Sequence, residues 1–176
     1  MVLVHDKIFV PYLSSVEIDN CVDEVAAAIN QDYKDKQPIF IGILNGSFMF
    51  ASDLLKKITV PCQLNFAKFA SYQGTQSSGE INELIGFNND IEGRDVIVVE
   101  DIVDTGQTME KILDILGSKG AKSVRIATLL YKPDVFDKKF EIHYIGKAIP
   151  NKFVIGYGLD YNQLGRNFSE IYQLQE

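Results

Sequence analysis

Glu100, Asp101 and Asp104 place three carboxylates within five residues near the middle of the chain. They follow the apolar run Val96 to Val99, which predicts a buried strand, so they fall at the carboxyl end of that strand. Carboxylates this close repel one another unless a cation or hydroxyl groups lie among them. An acidic N-cap on the following helix would explain Asp104 but neither of the other two. The pattern therefore indicates a site for a divalent cation, for sugar hydroxyls, or for both.

The next four residues, Thr105 to Thr108, have the composition of a phosphate site. Two threonines offer short hydroxyl side chains, and Gly106 permits a tight backbone turn. The same segment, which includes Gln107, opens a predicted helix, whose first amides lack partners and attract anions. Because the carboxylates and the phosphate cradle are adjacent, they could hold two ends of one phosphorylated sugar.

Hydrophobic periodicity predicts the elements that position these residues. Ser14 and Glu17 have the spacing of a capping box, and an amphipathic helix is predicted from there to Tyr33. Strands are predicted at 39–44, 63–71, 96–99 and 124–131, and further helices at 48–58 and from Gly106 to Gly117 or Gly120. Strands that alternate with helices predict an α/β fold with a mostly parallel sheet covered on both faces. Ligands bind at the carboxyl ends of the strands in such sheets.

The length of 176 residues and the hydrophobic share of 46% fit a single domain. We expect a core over about residues 10–146 and a small hood over about 147–176 that includes the N-terminal segment. Residues 72–81 are rich in Gly, Ser, Thr and Gln, which predicts a mobile loop. The apolar runs are shorter than the roughly 20 residues that cross a bilayer. The N-terminus has no secretory pattern, so we expect a cytoplasmic protein.

Other features exclude several classes of function. The net charge of −7 argues against a broad contact with nucleic acid or with an anionic membrane. Cys21 and Cys62 form no C-x-x-C pair and are expected to be core thiols. His5 and His143 lack the partners of a hydrolase triad. The chain has no phosphate-binding loop of the G-x-x-x-x-G-K-[ST] type.

Four segments resemble the type I phosphoribosyltransferase family. Val98 to Thr108 reads as apolar residues, Glu-Asp, two more apolar residues and then Asp-Thr-Gly-x-Thr, the signature of that family. Leu44 to Phe50 is similar to its diphosphate loop, and Ala70 to Tyr72 to the start of its flexible catalytic loop. Leu129 to Lys132 and Phe153 to Asn162 resemble the purine-binding strand and the hood of hypoxanthine phosphoribosyltransferases.

The resemblance spans most of the chain, about residues 39–167, and implies the type I phosphoribosyltransferase fold. It implies purine salvage, in which hypoxanthine, and guanine with it, displaces diphosphate from 5-phosphoribosyl 1-diphosphate to give IMP or GMP. It also implies Mg²⁺ as cofactor, no nucleic-acid or membrane partner, and a homodimer or homotetramer. Two alternatives stay open: an enzyme that prefers guanine or xanthine, and a non-catalytic regulatory protein of the same fold.

The resemblance assigns roles at the phosphate and metal end of the site. The 5′-phosphate would be wrapped by Asp104, Thr105, Gly106, Gln107 and Thr108. Glu100 and Asp101 would face the ribose hydroxyls and Mg²⁺, which requires both side chains to reach one cleft although neighbours in a strand point to opposite faces. The diphosphate would be held by Asn45, Gly46 and Arg166, with Asp160 as ligand of a second Mg²⁺.

At the base end, the resemblance makes Asp104 the general base toward purine nitrogen 7, or else a group that only orients the base. Lys132 would donate to the 6-oxo group, which discriminates against adenine. Phe153 would stack on the purine and the Val154 backbone would contact it, while Ser71 and Tyr72 would close over the reaction centre.

Simpler assignments exist for several of these residues, and two positions depart from the family pattern. Phe153 could be a core side chain, whereas Lys132, Asp160 and Arg166 could lie at exposed or turn positions. Asn45 and Gln107 stand where many relatives have lysine, which leaves more of the diphosphate charge to Mg²⁺, Arg166 and backbone amides. The family also leads us to expect a cis peptide between Leu44 and Asn45.

Overall fold

The computed structural model describes residues 1–71, 81–85 and 91–175. Within these ranges the chain forms three helices: α1 (Ser15–Asp32), α2 (Phe48–Lys57) and α3 (Gln107–Ser118). The same ranges contain the strands β1 (Val2–Val4), β2 (Lys7–Leu13), β3 (Ile39–Leu44), β4 (Gln63–Ser71), β5 (Ile81–Ile85), β6 (Asp95–Val103), β7 (Ser123–Tyr131), β8 (Tyr144–Ala148), β9 (Val154–Ile155) and β10 (Ile171–Leu174).

A six-stranded sheet forms the centre of the fold, in the order β5-β4-β3-β6-β7-β8. All neighbouring strands in it are parallel except β4 and β5, which are antiparallel. This arrangement confirms the prediction of an α/β fold with a mostly parallel sheet. The strands predicted at 39–44 and 63–71 have the bounds of β3 and β4, whereas β5 and β8 were not predicted.

Both faces of the large sheet are covered, as the buried strands require. One face carries α1 and α2, whose apolar side chains pack with Phe40, Ile97 and Leu129 of the sheet. The opposite face carries α3, whose side chains Met109, Ile112 and Leu116 pack against the other set of strand residues. Alternate residues of each strand therefore belong to different cores, which explains why the strands read as continuous apolar runs.

The helices begin where the sequence indicates. The predicted capping box is present at α1: the Ser14 hydroxyl accepts a hydrogen bond from the Glu17 amide, and the Glu17 carboxylate accepts one from the Ser14 amide. Helix α2 starts directly after the segment Asn45-Gly46-Ser47, so the position of that segment is tied to the helix. Helix α3 is preceded by Gly106, which has a φ of 89° and occupies the N-cap position.

A second, four-stranded sheet has the order β1-β2-β10-β9 and joins the N-terminal hairpin to the C-terminal strands. We call it the small sheet. It has its own apolar centre around Phe9 and Ile155. Val154, Tyr157 and Ile171 from the same part of the chain pack into the core of the large sheet on the side of α1 and α2. The small sheet and the segments beside it are thereby fixed relative to the large sheet.

Cys21 and Cys62 are free thiols that are half-buried against the core, and burial raises the pKa of each.

None of the helices in the described ranges combines the length and the apolar character that a membrane span needs.

Candidate active site

The site begins where β6 loses one of its two neighbours. Pairing between β3 and β6 runs from Ile39 opposite Val96 to Gly42 opposite Val99, whereas pairing between β6 and β7 continues to Val103 opposite Tyr131. The strand predicted to end at Val99 therefore extends to Val103, because it still pairs with β7 after its pairing with β3 has stopped. In the register of the described strands, the last four residues of β6 lie beyond the pairing with β3.

The segment Glu100–Met109 lines a cleft with a volume of about 230 Å³. Glu100 and Asp101 both border it, so the condition that neighbouring strand residues reach one cleft is met. Gly106 lies at the turn into α3, and a Cβ atom on it would stand 2.7 Å from the Phe136 ring. A positive φ and this close ring both require glycine at the position. The free amides at the start of α3 thus border the cleft, as a phosphate cradle needs.

Glu100 and Asp101 form a crowded carboxyl pair. Burial and the neighbouring Asp101 carboxylate hold the pKa of Glu100 well above its usual value. Burial also raises the pKa of Asp101, although a hydrogen bond from Glu100, the Ile102 amide at 2.8 Å and the charge of Arg166 act in the opposite direction. Of the two carboxyl groups, Glu100 therefore has the more strongly raised pKa.

Two glycines pack the loop after β3 against this pair. A Cβ atom on Gly46 would lie 1.6 Å from Asp101 Oδ2, so only glycine leaves room for that carboxylate. A Cβ atom on Gly158, whose φ is 101°, would lie 2.0 Å from the Gly46 carbonyl oxygen. The segment around Gly158 therefore rests on the loop, and the loop rests on Asp101. The peptide between Leu44 and Asn45 is cis, as expected.

Arg166 lies close to the same glycines. Its Nη1 donates to the Gly158 carbonyl at 2.7 Å, and its Nη2 lies 2.6 Å from Asp160 Oδ1. The other Asp160 oxygen accepts a hydrogen bond from the Gln163 amide at 2.7 Å. Asp160 and Arg166, predicted to act on a metal and on a diphosphate, are thus paired with each other in this structure.

Lys132 brings a positive charge to the opposite end of the cleft. Its side chain is buried, with the residue only 7% exposed, yet its Nζ lies 3.1 Å from Asp104 Oδ2 and 3.3 Å from Asn151 Oδ1. Half of the Asp104 side chain is exposed to solvent. The Lys132 ammonium is therefore held by a buried side chain, while the Asp104 carboxylate that it contacts remains accessible from the cleft.

An aromatic surface lies two residues after Asn151. Phe153 is 47% exposed, and its ring contacts Tyr161 edge-on at 5.9 Å and Phe9 at 6.2 Å between centroids. The Val154 side chain is buried, and its backbone pairs with β10 opposite Gln173. Phe153 is thus supported by other rings on one side and open on the other, which differs from a core side chain.

Comparison with known proteins places this arrangement in a family. The family model for the phosphoribosyl transferase domain matches residues 14–162. The chain belongs to the phosphoribosyl transferase family. A hypoxanthine-guanine phosphoribosyltransferase of Staphylococcus epidermidis is 44% identical to it over 160 residues, which cover 90% of this chain and 89% of the relative.

Solved structures of the same family agree with this assignment. A crystal structure of a hypoxanthine phosphoribosyltransferase from Staphylococcus aureus has a TM-score of 0.89 at 40% identity and covers 97% of this chain and 94% of that one. A hypoxanthine-guanine phosphoribosyltransferase from Bacillus anthracis has a TM-score of 0.88 at 30% identity, covering 97% and 99% of the two chains. The type I phosphoribosyltransferase fold is therefore confirmed.

In this phosphoribosyl transferase domain the predicted residues fall into three groups. The segment Glu100–Thr108 borders the cleft, Lys132 joins it through Asp104, and Gly46, Asp160 and Arg166 meet around Gly158. Ser71 ends β4, and Tyr72 lies outside the described residues. Sequence reasoning missed Asn151, the second partner of Lys132. No motif marks it, and only its position two residues before Phe153 hints at a role.

Of the two predicted Mg²⁺ sites, the carboxyl pair of Glu100 and Asp101 fits a divalent cation better than Asp160 does. Glu100 and Asp101 are short of positive charge, as their raised pKa values indicate, whereas Asp160 is neutralised by Arg166. In the part of the chain that the structure describes, no cluster of three His, Cys, Asp or Glu side chains could hold a metal. Mg²⁺ commonly binds one or two carboxylates and takes its other ligands from water and substrate oxygens, which suits this pair.

The raised pKa of Glu100 predicts how stability depends on pH. Between the usual value of 4.5 and the raised one, the folded chain binds more protons than the unfolded chain, so the free energy of unfolding falls as pH rises. Glu100→Gln cannot ionise and should be more stable than the unmodified protein at pH 8, with no gain below pH 4.5. Urea denaturation across this range measures the difference.

A second carboxylate provides the control, because its pKa is shifted in the opposite direction. Hydrogen bonds from the Ser14 amide and hydroxyl lower the pKa of Glu17. Glu17→Gln should therefore lose stability at pH 8, where Glu100→Gln gains it. A Glu100→Gln protein that was no more stable at pH 8 than at low pH, relative to the unmodified protein, would contradict the raised pKa of Glu100.

The contact between Gly46 and Asp101 predicts that the smallest possible side chain is already too large. Gly46→Ala should lower the free energy of unfolding by about 1–3 kcal/mol, since either Asp101 or the loop must move. Gly117→Ala is the matched control: it lies in α3 with open space around its Cβ position, and alanine there should stabilise the helix by up to about 1 kcal/mol. Equal stability of the two variants would mean that the close packing is not present in solution.

Proposed function

We propose that this protein transfers the 5-phosphoribosyl group from 5-phosphoribosyl 1-diphosphate to hypoxanthine, and to guanine as well, giving IMP or GMP and diphosphate. The observation that carries the proposal is the pair of Lys132 and Asp104, 3.1 Å apart at the edge of the cleft lined by Glu100–Met109. The Lys132 ammonium and the accessible Asp104 carboxylate thus lie next to the proposed phosphate site at the start of α3. The names of the similar proteins support the same reaction.

The spacing of the two charged groups suits the edge of a 6-oxopurine. Nitrogen 7 and oxygen 6 lie side by side on that edge, one able to give up a proton and the other an acceptor. A base whose oxygen 6 meets the Lys132 ammonium brings nitrogen 7 next to the Asp104 carboxylate. Adenine has an amino group at the same place, so it would offer the Lys132 ammonium no acceptor on the base.

In the proposed reaction, purine nitrogen 9 bonds to carbon 1 of the ribose as the bond from that carbon to the diphosphate oxygen breaks. The electron pair of the broken bond leaves with the diphosphate. The proton on nitrogen 7 passes to the Asp104 carboxylate, so the product purine is neutral. General-base help of this kind contributes about 10² to 10⁴ in rate.

The other end of the substrate would be held by the start of α3. We assign the 5′-phosphate to the hydroxyls of Thr105 and Thr108 and to the amides of the segment that includes Gly106 and Gln107, because unpaired amides at a helix N-terminus favour an anion. Glu100 and Asp101 would bind the ribose hydroxyls and Mg²⁺. Bound there, Mg²⁺ supplies positive charge that neutralises the diphosphate as it leaves.

The diphosphate itself is assigned to the region where Gly46 meets Gly158. Asn45 and Gly46 offer backbone amides, and Arg166 offers a guanidinium after it separates from Asp160. Asp160 would then be free to bind a second Mg²⁺. Since Asn45 stands where many relatives have lysine, the loop has one cation fewer for this task, and the metal must balance more of the charge.

Phe153 would stack on the purine with its open face, and the Val154 backbone would contact the base. Ser71 and Tyr72 would close over the reaction centre and exclude water, because water could attack the ribose carbon as positive charge develops on it. By the same resemblance we propose that the enzyme acts in the cytoplasm as a homodimer or homotetramer, with neither nucleic acid nor a membrane as partner.

The test of the function is an ultraviolet assay of the purified protein with 5-phosphoribosyl 1-diphosphate and Mg²⁺. Hypoxanthine, guanine, xanthine and adenine are offered separately. Nucleotide from hypoxanthine but not from adenine supports the proposal, and the guanine and xanthine reactions decide the preference at purine position 2. If a folded protein that binds 5-phosphoribosyl 1-diphosphate gave no nucleotide from any base, the regulatory alternative would replace the proposal.

Asp104→Asn tests the proton transfer. The variant keeps the size of the side chain and its hydrogen-bonding oxygen but cannot take up the proton, so kcat should fall by about 10² to 10⁴. Binding of IMP, measured by calorimetry, should change much less, because the phosphate is held by the residues that follow. An unchanged kcat would remove the general-base role and leave Asp104 as a group that orients the base.

Lys132→Ala tests the selectivity for 6-oxopurines. A hydrogen bond from a charged donor contributes about 1.5–3 kcal/mol, so kcat/KM for hypoxanthine should fall by about 10- to 100-fold. The value for adenine should not fall with it, and the ratio of the two kcat/KM values is the readout. If the ratio stayed constant, Lys132 would not contact the 6-position.

A further inference from the structure

A left-handed turn lies beside the diphosphate region. Gly156, Tyr157 and Gly158 have consecutive φ values of 99°, 49° and 101°. Glycine adopts this conformation readily, but a tyrosine rarely does, and such a residue persists only when its surroundings hold it. Tyr157 is only 5% exposed and its amide donates to the Phe168 carbonyl at 2.8 Å. Its side chain provides the stronger restraint.

The Tyr157 hydroxyl donates to Asp53 Oδ2 at 2.7 Å. Asp53 belongs to α2, and its other oxygen accepts a hydrogen bond from Lys56 at 2.7 Å, so both oxygens are occupied. Burial tends to raise the pKa of Asp53, but the hydrogen bonds from Lys56 and Tyr157 lower it overall. Burial and the Asp53 carboxylate raise the pKa of Tyr157, which keeps its hydroxyl protonated as a donor. The contact is thus a charge-assisted hydrogen bond between the turn and α2.

The next residue of the turn contacts the loop that α2 follows. Gly158 lies so close to the Gly46 carbonyl that a Cβ atom would come within 2.0 Å, and Gly46 in turn lies against Asp101. Helix α2 begins at Phe48, two residues after Gly46. The turn therefore holds one unit, the loop with its helix, at two points: through Tyr157 on the helix and through Gly158 on the loop.

Arg166 is tied to the same turn. Its Nη1 donates to the Gly158 carbonyl at 2.7 Å, and the Gly158 amide donates to the Arg166 carbonyl at 3.0 Å. Gly158 thus contacts both the loop, at Gly46, and the Arg166 guanidinium.

We infer that Tyr157 and Asp53 are positioning residues for the diphosphate half of the site, because their hydrogen bond holds Gly158 between the loop at Gly46 and the Arg166 guanidinium. The naming of the bound group as diphosphate rests on the proposed function. Neither residue contacts the substrate in this account. The base end of the cleft, at Lys132 and Asp104, is held by other contacts.

Tyr157→Phe in the full chain tests the inference, since it removes only the hydroxyl. We expect KM for 5-phosphoribosyl 1-diphosphate, and KM for diphosphate in the reverse direction, to rise about 5- to 10-fold, a part of what a charge-assisted hydrogen bond contributes. KM for hypoxanthine should stay within about twofold, because Lys132 and Asp104 are not attached to the turn. Asp53→Ala should have the same effect, and the double variant should add nothing to it.

Tyr144→Phe is the matched control. Tyr144 is also 5% exposed, and its hydroxyl donates to Asp32 at 2.8 Å, but it is the first residue of β8, and neither it nor Asp32 belongs to the segment that lines the cleft. It should lose stability as Tyr157→Phe does while both KM values stay unchanged. Asp53→Asn retains an acceptor oxygen for Tyr157, so its KM for diphosphate should be close to that of the unmodified protein and well below that of Asp53→Ala. The comparison of these two Asp53 variants tests the inference even if Tyr157→Phe does not fold.

The outcomes separate the two proposals. A wild-type protein that makes no nucleotide overturns the proposed function, and calorimetry with diphosphate and Mg²⁺ then tests the positioning role by itself. An active wild type whose Tyr157→Phe variant binds diphosphate no worse than Tyr144→Phe does overturns the inference. So does an equal rise in the hypoxanthine KM, because it would indicate general loosening of the fold.

Discussion

The site depends on one electrostatic constraint, the crowding of three carboxyl groups in the five residues from Glu100 to Asp104. Like charges this close are stable only if each is neutralised in its own way. Asp104 contacts the Lys132 ammonium, the charge of Arg166 stabilises ionised Asp101, and the raised pKa of Glu100 favours its neutral form. Lys132 follows β7 and Arg166 belongs to the C-terminal segment. Their interactions with Asp104 and Asp101 therefore link both parts of the chain to the end of β6, one at each end of the cleft.

The fold could be predicted where burial alone determines local structure. The strands at 39–44 and 63–71 have the bounds of β3 and β4, and the capping box at Ser14 marks the start of α1. The extension of β6 to Val103 could not be predicted, because it depends on pairing with β7 that continues after the pairing with β3 has stopped. The pattern of β8 gave no signal either, since only its first residue is buried and the rest are half-buried or exposed.

The candidate site divides in the same way. Residues that lie in one segment, such as Glu100–Thr108, could be recognised because their chemistry is concentrated in sequence. Contacts between distant segments could not be: the Asp104 carboxylate and the Lys132 ammonium meet across 28 residues, and Gly158 meets Gly46 across a still longer separation. The resemblance to a family supplied Lys132, Asp104, Gly46 and Asp101 but neither the contacts between them nor Asn151, because a motif names residues and not the packing around them.

The charge balance of the cleft links substrate binding to metal binding. Lys132 and Arg166 already contact the carboxylates of Asp104 and Asp160, so neither cation is free to meet a phosphate without leaving a carboxylate unpaired. In the proposed function, Mg²⁺ on Asp160 would neutralise that carboxylate and release Arg166 toward the diphosphate. Each ligand then lowers the cost of binding the other, and by linkage the effect must be equal in both directions.

Asn45 and Gln107 increase this dependence. With lysine at those positions, part of the phosphate charge would be balanced by the protein itself; with two neutral side chains, more of it falls to the metal. In the proposed function, a divalent cation on Glu100 and Asp101 would add to the effect, because it would require both carboxyl groups to ionise against the raised pKa of Glu100. Affinity for the phosphorylated sugar should therefore rise with both pH and Mg²⁺ concentration, and the rise with pH should weaken once Glu100 is replaced by glutamine.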